Sequence, residues 1–200
     1  MNRQNTYLSP YDNIKLYDAL KYSYQPLNKQ EEFYKRQGYK LDRDLSNDNQ
    51  QVLYNKDKNK LLYNIAGTHN LKDWGTDAYL LFGNIKNTNR YKEADERLKK
   101  AKQKYNINNA TITGHSLGAT LGNYIASGSN DKAYLLDEGA TFGQIQRNNP
   151  NHKHYRTSGD LVSLLHAEMP NMTTLKNKNW LKDPLTAHNV DNIKNEKIFI

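Results

Sequence analysis

The sequence predicts an α/β domain: a mostly parallel central sheet with helices on both faces, preceded by an N-terminal helix and antiparallel strands. Three observations carry that expectation. From residue 60 onward, β-prone and helix-prone segments alternate, as they do where parallel strands are joined by covering helices. Before that point, three short β-prone runs follow one another, the last two separated by the polar turn Lys56-Asp57-Lys58-Asn59. Between residues 110 and 121, a β-prone run meets a helical one through a sharp glycine-flanked turn.

The elements follow in order. Ser9-Pro10 suits a capped helix start, and Ile14, Tyr17, Leu20 and Tyr24 recur at helical spacing, which reads as core packing. A short helix over Glu31 to Gln37 stops at Gly38. Strands are expected at Tyr39 to Leu45, Gln51 to Asn55 and Lys60 to Ala66, then at Ala110 to Thr113, Lys132 to Leu136 and His154 to Thr157. Helices are expected at Asp73 to Phe82, Arg90 to Tyr105 and Leu117 to Ala126. No repeat, linker or low-complexity tract interrupts them, so residues 1–200 are read as one domain.

Composition narrows the function. Leu, Ile, Val and Phe make up only about 20% of the chain, at the edge of what can bury a core. Fifteen Tyr restore the apolar volume, and net charge is modest per residue, so the chain is expected to fold. The absence of Cys excludes a disulfide framework, a thiol nucleophile and thiolate-bound zinc. No apolar run approaches the roughly 18 to 20 residues that span a bilayer, and the N-terminus lacks the apolar stretch of a signal peptide, so the chain is expected to be soluble and cytoplasmic at synthesis. The net charge of +8 suggests peripheral contact with anionic membranes. No nucleic-acid partner is expected, because the basic run from Lys99 to Lys104 reads as a solvated helix face and no nucleic-acid-binding motif accompanies it.

Gly114-His115-Ser116-Leu117-Gly118 is the segment that points to chemistry. In Gly-x-Ser-x-Gly between a strand and a helix, the serine occupies a strained turn that lifts its hydroxyl above the sheet, and side chains at the glycines would collide with strand or helix. At this composition chance supplies on the order of 0.02 such matches.

This segment resembles the class 3 lipases of the α/β-hydrolase superfamily, whose Gly-His-Ser-Leu-Gly-Gly/Ala is matched by Gly114 to Ala119. Upstream, Ile65-Ala66-Gly67-Thr68 with Asp73-Trp74 and Asp77 is similar to that family's Arg-Gly-Thr/Ser strand end and the Asp-Trp segment beyond. Downstream, Thr141-Phe142-Gly143-Gln144 resembles its Thr-Phe-Gly-Gln/Ser, and Asp160-Leu161-Val162 its Asp-x-Val-Pro. The resemblance runs in order over about residues 10 to 195 and implies a compact α/β-hydrolase fold with a lid at His69 to Asp77 and a flap at Met169 to Leu185. It departs from the family at Ala66 (usually Arg), Ile145-Gln146 (usually Pro-Arg) and Ser163 (usually Pro).

Chain order nominates the serine's partners. In α/β hydrolases the nucleophile is followed by the acid and then the histidine, each near the carboxyl end of a strand. Of the four His after Ser116, His152 and His154 precede or begin a strand and so sit at its opposite edge, and His166 follows the best acid by six residues, leaving His188 favoured as base. Asp160, after the expected strand His154 to Thr157, is the favoured acid because the family's acid belongs to that later strand; Asp137, one strand earlier, is the alternative, and Asp160 as a plain cap of the next segment is another. The oxyanion hole is assigned to the backbone N–H of Leu117 and, by resemblance, to Thr68.

The expected activity is hydrolysis of carboxylic esters of lipids, lipase-like or phospholipase A1-like, through an acyl-enzyme on Ser116, without cofactor or metal. Two rival readings remain: an idle α/β-hydrolase scaffold used for structure or binding, for instance in a virion, and a basic nucleic-acid-binding protein.

Overall fold

A computed structural model of the chain describes residues 14–68, 85–139, 149–160, 163, 172–177, 187–193 and 197–200. The expected helix start at Ser9-Pro10, the helix at 73–82, the lid at 69–77, the segment 141–146 and most of the flap lie outside these residues.

The chain opens with α1 (Leu16–Tyr22) and α2 (Leu27–Arg36), then β1 (Lys40–Leu41), β2 (Gln50–Asn55) and β3 (Lys60–Ile65). α3 (Asn89–Tyr105), β4 (Thr111–His115), α4 (Leu117–Ala126), β5 (Lys132–Leu136), β6 (His152–Thr157) and β7 (Met172–Leu175) complete the described elements, with single 3₁₀ turns at Ile85–Asn87 and Val190–Asn192. α2 begins four residues before the expected start at Glu31, with Pro26 immediately ahead of its first turn. β7 was not anticipated: two of its four residues are threonines and only Leu175 is buried, so no hydrophobic run marks it as a strand.

The seven strands lie side by side in chain order, β1 to β7. β1–β2 and β2–β3 are antiparallel, and the remaining four pairs are parallel. This order explains the layering. Crossovers between successive parallel strands that always step the same way, with right-handed connections, leave their helices on one face. α3 and α4 accordingly share a face, packing Ala94, Leu98, Leu121 and Ile125 with Tyr63, Ile65, Ile112 and Leu135. The opposite face is covered by the N-terminal helices: Leu16 and Leu20 lie with Leu136, Tyr155 and Leu175, and Ala19 and Tyr34 lie with Leu41, Leu53 and Leu62. Neighbours along a strand, Leu135 and Leu136 or Leu61 and Leu62, therefore enter different cores, as the two-residue period of a strand requires.

Candidate active site

The carboxyl ends of β3 to β6 converge on one edge, where Thr68, Ser116, Asp137 and Asp160 each stand within three residues of a strand end. Ser116 lies between β4 and α4 at φ 58° and ψ −127°, in the left-handed region that a non-glycine residue adopts only under strain. The flanking glycines are required by space. A Cβ on Gly114 would stand 2.4 Å from the Gly118 carbonyl oxygen, and one on Gly118 would stand 2.1 Å from that of Ile65. Among the described residues the buried Ser116 Oγ has no hydrogen-bond partner, so the structure does not bond it to His188.

Asp160 and His188 are brought together: Nδ1 of the imidazole lies 3.0 Å from the Asp160 Oδ2, and both side chains are completely buried. The same Oδ2 accepts the Ser163 N–H at 3.1 Å, so the carboxylate also caps the segment after it. Burial alone would lower the His188 pKa, but hydrogen bonding and charge from Asp160 outweigh it and hold it above the ordinary histidine value. Asp137 faces the pair from β5, with carboxylate oxygens accepting the Thr157 N–H (2.5 Å) and hydroxyl (2.7 Å). Burial first, and the nearby Asp160 charge second, push its pKa up. His152 and His154 lie on β6, and His154 Nδ1 is 3.0 Å from the Glu138 Oε2, a buried pair separate from Asp160. His166 lies outside the described residues.

His115, the variable residue of the Gly-x-Ser-x-Gly motif, joins the parts of this site. Its Nε2 lies 2.9 Å from the His188 carbonyl oxygen, and its Nδ1 lies 2.7 Å from the Tyr24 hydroxyl, which accepts the Gly67 N–H at 2.8 Å. Burial drives the His115 pKa down to about 3, so the ring is neutral. A carbonyl can only accept, so Nε2 carries the hydrogen and Nδ1 accepts from Tyr24. One directed chain thus links the loop after β3, the turn that carries Ser116 and the His188 backbone. His115, Asp137 and His188 also bring ligand-type atoms within 4.8 Å of one another, but both His115 nitrogens are engaged, so a metal ion would have to break this chain.

On the loop after β3, Thr68 is half-buried, and a Cβ on Gly67 would come within 2.9 Å of the Ser116 Cβ, which shows how closely this loop passes the serine. Leu117 is the first residue of α4, where helix geometry leaves the N–H without an intrahelical acceptor. A cavity of about 250 Å³ opens here, with Thr68, His115 and Ser116 in its wall and Lys21, Gln25 and Asp191 among its lining. Lys21 on α1 pairs with Asp191 at 2.8 Å, tying the N-terminal helix to the turn that follows His188.

Sequence reasoning did not single out Tyr24, His115 or Arg90. Tyr24 carries the helical spacing of a packing residue, and Arg90 sits in a run of helical polar residues. Only the fold shows where their polar ends go.

No family model matches the chain, and no curated protein sequence matches it. Solved structures do. A lipase propeptide complex from Rhizomucor miehei superposes with a TM-score of 0.53 at 13% identity, covering 80% of this chain and 66% of that one. A deletion mutant of the same complex gives 0.55 at 13% identity, covering 81% and 65%. The fold is that of an α/β hydrolase. A lipase from Yarrowia lipolytica is also matched, with a TM-score of 0.46 at 14% identity over 64% of this chain and 61% of that one. The chain thus spans two thirds or less of the length of these lipases. In this fold Ser116, Asp160 and His188 lie at the edge where the parallel strands end.

Proposed function

We propose that the protein is a serine hydrolase that cleaves carboxylic esters, with esters of lipids as its substrates. The observation that carries this reading is the buried Asp160–His188 pair, whose histidine backbone is hydrogen-bonded to the ring of the residue preceding the strained Ser116. In this mechanism His188 Nε2 takes the Ser116 hydroxyl proton as Oγ attacks the ester carbonyl, while Asp160 fixes the tautomer and stabilises the imidazolium. The tetrahedral oxyanion is held by the N–H groups of Leu117 and Thr68. The imidazolium returns the proton to the leaving alcohol, and water then repeats the sequence to release the acid. The chain's own groups complete this cycle.

The lipid preference is supported by the lipase neighbours and by the ordered resemblance along the sequence. The cavity against Ser116 is small for a whole lipid, since ligand pockets run to about 300–1,000 Å³, so it would hold only the part of the substrate next to the ester. The deciding experiment is hydrolysis across p-nitrophenyl esters of rising chain length and defined glycerolipids, with Ser116→Ala alongside. Ester turnover that Ser116→Ala lowers by at least about a thousandfold supports the reading. Turnover that survives the substitution in a pure sample refutes the nucleophile, and a wild type inactive on every ester refutes the reaction.

A further inference from the structure

Arg90 is the second residue of α3, in the first turn, where a helix dipole disfavours a cation. It is also more than half buried, and burial lowers its pKa. Among the described residues no carboxylate stands within ion-pair distance of it. A buried cation without an anion is costly unless its donors are used. Here one nitrogen uses both of its hydrogens on a single loop: Nη2 donates to the Ala66 carbonyl at 2.7 Å and to the Gly67 carbonyl at 3.1 Å.

The second bond determines an orientation. The Gly67 carbonyl and the Thr68 N–H belong to one peptide group, and among the described residues no peptide bond is cis. In a planar trans peptide the two point in opposite directions. A guanidinium that holds the Gly67 oxygen therefore turns the Thr68 N–H away from α3. The preceding peptide is fixed from the other side, its Gly67 N–H donating to Tyr24 and its Ala66 oxygen accepting from Arg90. Ala66 itself has no side chain able to serve this purpose.

We propose that Arg90 is a positioning residue for the oxyanion site: it clamps the peptide between Gly67 and Thr68 so that the Thr68 N–H is set in advance to receive the negative charge of the tetrahedral intermediate. This rests on the ester-hydrolase reading above. Its action is on the transition state. A donor aimed where charge develops raises kcat and leaves ground-state binding nearly unchanged.

The test compares full-length wild type with Arg90→Lys, Arg90→Met and Arg90→Ala on p-nitrophenyl butyrate. It adds inhibition by an alkyl trifluoromethyl ketone, whose serine adduct carries an oxyanion, and thermal melting. In Arg90→Met and Arg90→Ala, kcat should fall about ten- to a hundredfold with KM within about twofold, and the ketone should weaken by the same factor as kcat. Arg90→Lys, which keeps the charge but not the planar fork, should fall between. Millimolar guanidinium should restore part of the kcat of Arg90→Ala, while sodium chloride at equal ionic strength should not. If Arg90→Met or Arg90→Ala does not fold, Arg90→Lys decides by the same criteria. Variants that melt earlier yet keep wild-type kcat and ketone affinity would show Arg90 to be a structural staple and overturn the proposal alone. A wild type that neither hydrolyses the ester nor takes the ketone overturns the ester-hydrolase reading, and this proposal with it.

Discussion

The ring of His115 donates to the backbone carbonyl of His188 at 2.9 Å, so the residue beside Ser116 holds the segment that carries the proposed base. Tyr24 holds that ring from its other nitrogen. Tyr24→Phe removes one oxygen and leaves both His115 Nδ1 and the Gly67 N–H short of a partner. We expect kcat to fall about tenfold at nearly constant KM, since small displacements of aligned groups are felt chiefly in the chemical step. Stability should drop by about 1–3 kcal/mol, the cost of unsatisfied buried polar groups. Steady-state kinetics and denaturant titration of the variant measure the two effects separately.

The two carboxylates near His188 make different predictions. Asp160→Asn replaces an acceptor 3.0 Å from Nδ1 with an amide that favours the wrong tautomer, and should lower kcat by about 10⁴. Asp137→Asn keeps an oxygen for the Thr157 N–H and should cost less than about tenfold. Parallel kinetics of the two variants rank them. The reverse ranking would move the acid to the end of β5.

With His188 as the proposed base, its pKa should set the acid limb of the rate profile. The base works only when neutral, and Asp160 raises its pKa, so kcat/KM should reach half its plateau at a pH above the roughly 6.5 of a free histidine. Stability responds to the same raised pKa in the opposite direction along the pH axis. A histidine whose folded pKa exceeds its unfolded one contributes stability that is complete below the unfolded value and is lost as pH rises through the folded one. The melting-temperature gap between wild type and His188→Gln should therefore narrow as pH rises from about 6 to 9.

Membrane attraction is tested with vesicles. With a net charge of +8, binding and hydrolysis should be stronger on vesicles containing anionic phospholipid than on neutral ones, and the advantage should shrink between about 50 and 500 mM salt. Local pairing on α3 locates the effect elsewhere: Lys99, Lys100, Lys102 and Lys104 are each within ion-pair distance of a carboxylate, so this run should contribute little. Equal sedimentation with both vesicle types at low salt would discard membrane steering.

The parallel half of the sheet was legible because β3, β4 and β5 are buried and alternate with long helices, and the Gly114 and Gly118 spacing admits one geometry. β7 was hidden because an edge strand with one buried residue has no pattern to read. Asp160 and His188 were nominated by order along the chain, and the structure brings them within 3.0 Å. What sequence did not reveal is the support behind them. Tyr24, His115 and Arg90 act through polar tips that meet only after residues 43 or more positions apart, or a whole crossover apart, have packed. Periodicity reports which face of a helix is buried and is silent on where a hydroxyl or guanidinium at its rim will point.

Spatial order in the sheet copies order along the chain, with each strand laid beside the one before it. A polypeptide emerging from the ribosome can therefore extend this sheet at its growing edge, never having to insert a late strand between two early ones. The turn that carries Ser116 is in place once β4 and α4 have docked, whereas Asp160 follows β6 and His188 follows β7. The hydroxyl of Ser116 is thus presented on a four-stranded sheet before Asp160 and His188, the partners proposed for it, have been added.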